Sequence, residues 1–142
     1  KTLVQDGKSM YSHGVRQAVY ALYNDTTKYP DMFINSPGGS ASKAKFCLAP
    51  AGLGFGVRVA HCMADGSIPV VIQDNITQPF EGDFLPYSLF SVRVEEARIP
   101  ELREILLQYS DEQIAEMQKE LACAFPYMLW SSLYGAWGSE DG

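Results

Sequence analysis

The chain has 142 residues and a formal net charge of −6. That length fits one domain able to bury its own core, and the apolar share of 46% and aromatic share of 12% are those of a globular protein. The acidic balance argues against a nucleic-acid groove or an anionic membrane surface as partner, but a helix N-terminus with one or two arginines can still hold a small anion. The sequence contains no run of about 18 apolar residues, so the chain itself holds no membrane span. It begins at Lys1 without a signal-peptide pattern and stops in "WSSLYGAWGSEDG". It therefore reads as a single domain over residues 1–142 that is a piece of a longer protein, with any anchor or signal upstream.

In chain order, Val15, Ala18, Val19 and Leu22 fall at helical spacing and predict a helix over residues 13–23, with Ser12 as its N-cap. Residues 24–30 read as a loop, and "DMFIN" (31–35) as a short buried strand followed by the breaker-rich "SPGGSAS". "KFCLAP" (45–50) is the next strand and "AGLGFG" (51–56) the loop after it. A helix follows over 57–65 with Val59, Cys62 and Met63 inward and Gly66 as its C-cap. "IPVVIQD" (68–74) has the continuous apolar run of a central parallel strand buried on both faces. After a loop with two prolines come "LFSVRV" (89–94) as a strand and a helix opened by Pro100 with Leu102, Ile105 and Leu106 inward. The last helix is capped by Ser110 and Gln113 and carries the stripe Ile114, Met117, Leu121 and Phe125. Alternating strands and helices give an α/β fold, a Rossmann-like parallel sheet flanked by helices. Such sheets bind ligands at the carboxyl ends of their strands, here the segments 49–56 and 73–80 and the loop after Asn35.

Gly52, Gly54 and Gly56 lie between a strand and a helix, where glycine lets backbone N–H groups approach an anion closely. The pattern is neither GxGxxG nor a P-loop, and a tight turn without a ligand is the competing reading. Arg58 opens the helix; a cation there opposes the dipole and calls for a carboxylate partner or an anionic ligand such as a diphosphate. His61, three residues on, shares its face with Arg58. Arg16 and His13 sit near the start of the first helix, and Asp74 and Asn75 end the central strand, where a turn-forming pair explains them adequately. Glu95 and Glu96 read as a solvated pair beside Arg93 and Arg98. The three cysteines, Cys47, Cys62 and Cys123, show no CxxC, so no metal site is expected. Three buried thiols is one reading, and a Cys47–Cys62 disulfide between a strand and the next helix is the other. Two N-x-T sequons, at Asn24 and Asn75, matter in a secretory context.

From Ser12 to Gln118 the chain resembles the C-terminal half of exostosin-family glycosyltransferases, especially the algal and plant type. The resemblance lies in Phe46-Cys47-Leu48, Pro50-Ala51-Gly52, the helix-opening Arg58, Gly66-Ser67-Ile68-Pro69-Val70, Asp74 with Pro79-Phe80, Phe90-Ser91-Val92 and Ile99-Pro100, in that order. Arg16 within "HGVRQAVY" resembles the family's Ile-Arg-x-x-Leu helix. The resemblance implies the C-terminal half of a GT-B architecture, with 1–142 as most of a domain binding a nucleotide-sugar donor, usually a UDP-sugar, for inverting transfer to a glycan acceptor in the Golgi lumen. The donor site it implies comprises Arg16, Gly52, Gly54, Gly56, Arg58, His61 and Asp74. No cofactor beyond the UDP-sugar is implied; backbone amides, a helix dipole and arginine would neutralise the leaving diphosphate. The catalytic residues stay unknown, the general base being expected from the N-terminal half of the same protein, and homo- or hetero-oligomers are left open. Membrane anchoring would come through a segment outside this chain, with secretion as the alternative. Family members commonly carry Glu or Asp three residues after the helix-opening Arg, where a carboxylate can hold the donor ribose. His61 occupies that place and can accept only one hydrogen bond there. A non-catalytic exostosin-like scaffold or glycan-binding domain is therefore the alternative function.

Overall fold

The computed structural model describes residues 11–34, 44–53, 57–82 and 84–128. Helix α1 (Val15–Tyr23) is followed by strand β1 (Phe46–Pro50), helix α2 (Arg58–Ala64), strand β2 (Ile68–Ile72), the single-turn helix α3 (Tyr87–Phe90), strand β3 (Val92–Arg93), and helices α4 (Leu102–Leu107) and α5 (Asp111–Ala124). The strands form one parallel sheet in the order β1-β2-β3, with Phe46 opposite Ile68 and Val70 opposite Val92. The predicted α/β class is the one observed.

All five residues of β2 are buried, and their period of two divides them between two cores. Ile68, Val70 and Ile72 pack with Val15, Val19, Tyr23, Ile99, Leu102 and Ile114 on one face. Val71 packs with Ala49 of β1, with Val59 and Met63 of α2, and with Phe90 and Leu121 on the other. Cys47 shares the parity of Ala49, so its side chain points to the α2 face. There it forms a disulfide with Cys62, joining β1 to the helix that follows. Of the three cysteines only Cys123 is free, and it is exposed, which corrects the reading of three buried thiols.

Pro69 explains the shortness of β3. The N–H of Ile68 donates to Lys45 on the β1 side, so by the alternation of a parallel ladder residue 69 faces the β3 side. Proline has no donor to offer there, and pairing with β3 begins one residue later, at Val70. The strand expected over 89–94 is accordingly mostly not strand. Residues 87–90 turn as α3, where the Ser91 N–H and Oγ both donate to the Tyr87 carbonyl, and only Val92 and Arg93 pair.

Other expectations shift as well. The strand expected at 31–35 is absent from its described part: Tyr29 and Met32 donate into turn bonds, Met32 is buried without a ladder, and Asn35 lies outside the described residues. Ser12 does not cap α1. Its Oγ donates to the Gln17 side chain, and Gly14, at φ +85°, occupies the N-cap position. Leu22 is exposed and the buried residue beside it is Tyr23, whose hydroxyl donates to the carbonyls of Ile99 and Pro100. Pro100 sits inside a 3-10 turn (Glu96–Glu101) that leads into α4 rather than opening it. The end of α2 is as expected. Gly66 takes φ +70°, its N–H donates to Met63 and that of Ser67 to Cys62, the paired bonds of a Schellman motif. Ser110 and Gln113 form the reciprocal capping box predicted for α5.

Candidate functional site at the carboxyl edge of the sheet

The segments leaving the carboxyl ends of β1, β2 and β3 lie side by side. The Ala51 N–H donates to Ile72, and the Val94 N–H to Val71, carrying the ladder one step past the strands. Arg16, in the first turn of α1, reaches the same edge: its Nε donates to the Ala51 carbonyl at 3.3 Å. Two predicted site residues far apart in sequence, Arg16 and Gly52, are thereby brought together. Gly52 is buried; Gly54 and Gly56 lie outside the described residues.

Arg58 opens α2 and is exposed, with no carboxylate at ion-pair distance among the described residues. Of the two readings for Arg58, the carboxylate partner is not found among the described residues. The N-cap residue of α2, Val57, contributes no side-chain cap, so the N–H groups of the first turn lack that partner. His61 is exposed on the same helix. His13 is exposed at φ +49°, ahead of α1.

Asp74 is engaged differently from the two arginines. Its N–H donates to Glu96 Oε1 at 3.2 Å, and its Oδ1 accepts the Glu96 N–H at 3.1 Å. This reciprocal pair closes the end of β2 onto the segment after β3. Asn75 follows at φ +57°, a left-handed conformation that Asn tolerates in a turn.

Side chains that the sequence reading left aside hold the loop after β2. Gln73 is buried; its amide donates to the Ala49 carbonyl and its oxygen accepts the Gln78 amide, both at 3.1 Å. Glu81 accepts the Gln78 N–H on one oxygen and the Arg93 guanidinium on the other. Arg93 also donates to the carbonyls of Gln73 and Ile76. Arg93 thus pairs with Glu81 rather than with Glu95 or Glu96, and Arg98 pairs with Glu101. Beside this network opens a concavity of about 540 Å³ lined by Asn75, Ile76, Thr77, Glu81, Gly82 and Arg93. Its polar lining offers an amide, a hydroxyl, a carboxylate and a guanidinium. Tyr87 supports the loop from below, donating to the Pro79 carbonyl, and burial pushes its phenol up to about 12, with the Glu81 charge adding to the effect. The Tyr87 and Gln78 signals were not visible in spacing because each contact depends on how the loop folds back.

A parallel sheet with helices on both faces and polar groups gathered at its carboxyl edge defines an α/β domain of Rossmann-like type, with a ligand edge where such domains keep it. The exostosin GT47 domain matches residues 7–109, and the chain belongs to that family. It is 32% identical to "Probable glucuronosyltransferase 47 A" of Physcomitrium patens over 119 residues, 79% of this chain and 25% of the relative. It is 33% identical to "Probable beta-1,4-xylosyltransferase IRX10" of Arabidopsis thaliana over 119 residues, 79% of this chain and 28% of the relative. To "Probable glucuronosyltransferase GUT1" of Oryza sativa subsp. japonica it is 30% identical over 119 residues, 79% of this chain and 27% of the relative. The chain therefore spans about a quarter of the length of the curated relatives it matches.

Proposed function

We propose that this chain is the donor-binding part of a glycosyltransferase, taking a UDP-sugar for inverting transfer to a glycan, with the acceptor domain and general base in the rest of the protein. One observation carries the reading at the site: Arg16 is fixed on the Ala51–Gly52 turn, next to a helix whose opening cation, Arg58, has no ion pair among the described residues. Two guanidiniums flanking a strand-to-helix turn are suited to a diphosphate, which they hold by charge-assisted hydrogen bonds. The charge that develops on the leaving diphosphate would be met by these arginines and by backbone N–H groups of the turn. The relatives' names point to glucuronic acid and xylose as the sugars to try first. In the concavity beside Arg93 and Glu81, the exposed Asn75 and Thr77 are suited to hydrogen-bond sugar hydroxyls.

The Cys47–Cys62 disulfide supports a lumenal or secreted setting, because oxidising compartments are where such links persist. We place the whole protein in the Golgi lumen, anchored through a segment outside this chain. The experiment is titration of the full-length protein with UDP, UDP-glucuronic acid and UDP-xylose, read by thermal shift. Stabilisation by a uridine nucleotide is expected; absence of stabilisation by all three overturns the reading.

His61 favours a second reading, a non-catalytic exostosin-like scaffold, because an imidazole stands where the family commonly places a carboxylate. Glycosyl transfer by the full-length protein that disappears in Arg58→Ala would sink it.

A further inference from the structure

We infer that Asn24 is an acceptor for N-linked glycosylation. The inference rests on the lumenal placement above and deepens it by assigning a modified residue. Asn24-Asp25-Thr26 is an N-x-T sequon, and all three residues are exposed, as are Thr27 and Lys28 after them. Asn24 is the C-cap residue of α1, and its Nδ2 donates to the Tyr20 carbonyl. The amide carries two hydrogens, so a glycan can replace one while the other keeps that bond. The turn itself does not depend on the Asn24 side chain: Asp25 Oδ1 accepts the N–H groups of Thr27 and Lys28 at 2.9 and 3.1 Å. The disulfide between Cys47 and Cys62, which supports that placement, fits maturation in the compartment where this modification is made.

Position matters as much as exposure. Arg16, at the candidate site, and Asn24 lie near opposite ends of α1, about 12 Å apart along the helix at 1.5 Å per residue. A glycan on Asn24 is therefore attached at the far end of α1 from Arg16. The second sequon differs. Asn75 lines the concavity, and Arg93 pins the carbonyl of the next residue, Ile76, so a glycan there would fill the space in front of Arg93.

The transfer needs a lipid-linked oligosaccharyl diphosphate as co-reactant. The Asn24 nitrogen attacks the anomeric carbon of the oligosaccharide, a C–N bond forms as the C–O bond to the diphosphate breaks, the amide loses one proton, and the lipid diphosphate departs.

The test is peptide mapping of the full-length protein produced in a eukaryotic secretory host, before and after peptide N-glycosidase. The Asn24 peptide is expected to be found only after the enzyme, with an aspartate left at the cleaved position. Both Asn24→Gln and Thr26→Ala should remove that signal, the latter leaving the Tyr20 contact intact, and Asn75→Gln should keep it. Recovery of the unmodified Asn24 peptide before enzyme treatment overturns the proposal. If Cys47 and Cys62 are oxidised in that same sample, the lumenal placement survives it; if they are free thiols, the placement falls as well.

Discussion

Arg16 Nε and the Ala51 carbonyl oxygen meet at 3.3 Å across 35 positions of sequence. The contact fixes where α1 starts relative to the turn after β1, and it directs a permanently charged group at the edge where the strands end. A helix that otherwise contributes Val15, Val19 and Tyr23 to the core thereby also supplies a cation to the candidate site.

For Arg16→Ala and Arg58→Ala in the full-length protein, UDP binding should weaken about tenfold each, the equivalent of roughly 1.4 kcal/mol per lost charge-assisted contact. Isothermal titration gives the Kd, and circular dichroism checks that the fold is retained. Unchanged affinity in both variants would remove the arginines from the donor site.

Reducing the Cys47–Cys62 disulfide should destabilise the domain by about 3 kcal/mol, as expected for cross-linking residues 15 apart, by restoring freedom to the unfolded chain. Urea unfolding with and without reductant measures it, and Cys123→Ser guards against thiol exchange. Coincident unfolding curves would show that the link contributes nothing.

Alkaline stability should carry the signature of Tyr87. Its folded pKa of about 12 stands above the ordinary value of 10.0, so the folded state holds the phenolic proton longer than the unfolded one. Stability is full below pH 10 and falls as pH rises towards 12, by on the order of 2 kcal/mol. Tyr87→Phe should flatten that decline while losing the bond to the Pro79 carbonyl. Urea midpoints measured from pH 9 to 11.5 test the slope.

Ser110→Ala should cost about 1 kcal/mol, since the Gln113 N–H loses its acceptor and the capping box is broken. The Gln113→Ala variant removes the other half, the bond from the Ser110 N–H. Thermal unfolding of both variants and the double mutant should show sub-additive losses, because the two bonds belong to one motif.

The parts of the fold legible in sequence are those governed by local rules: the apolar run of β2, the glycine at φ +70° after α2, and the Ser110 cap. The misreadings fall where tertiary contacts decide. Residues 32–34 have strand composition, yet among the described residues no strand pairs with them, and Met32 is buried in the core beside Val15, Val19 and Tyr23 without a ladder. The segment 89–94 alternates at its end like a strand, but Pro69 withholds the donor that would extend its ladder. At the site, the position of Arg58 at the start of α2 was legible from its place after a strand and a glycine-rich segment. The relay from Arg93 to Glu81 to the Gln78 N–H was not, because it joins residues 12 and 3 apart through a loop without period.

That relay also bears on how such a domain can diversify. The residues that hold the loop, Gln73, Gln78, Glu81 and Arg93, bond mainly to backbone and to each other, whereas Asn75 and Thr77 are exposed at its rim. Anchoring and display thus fall on different side chains. Thr77 can be exchanged while the anchors keep the loop in place, whereas Asn75, at φ +57°, is limited to residues that tolerate that backbone, so the rim of the loop can vary at one position without the scaffold having to change.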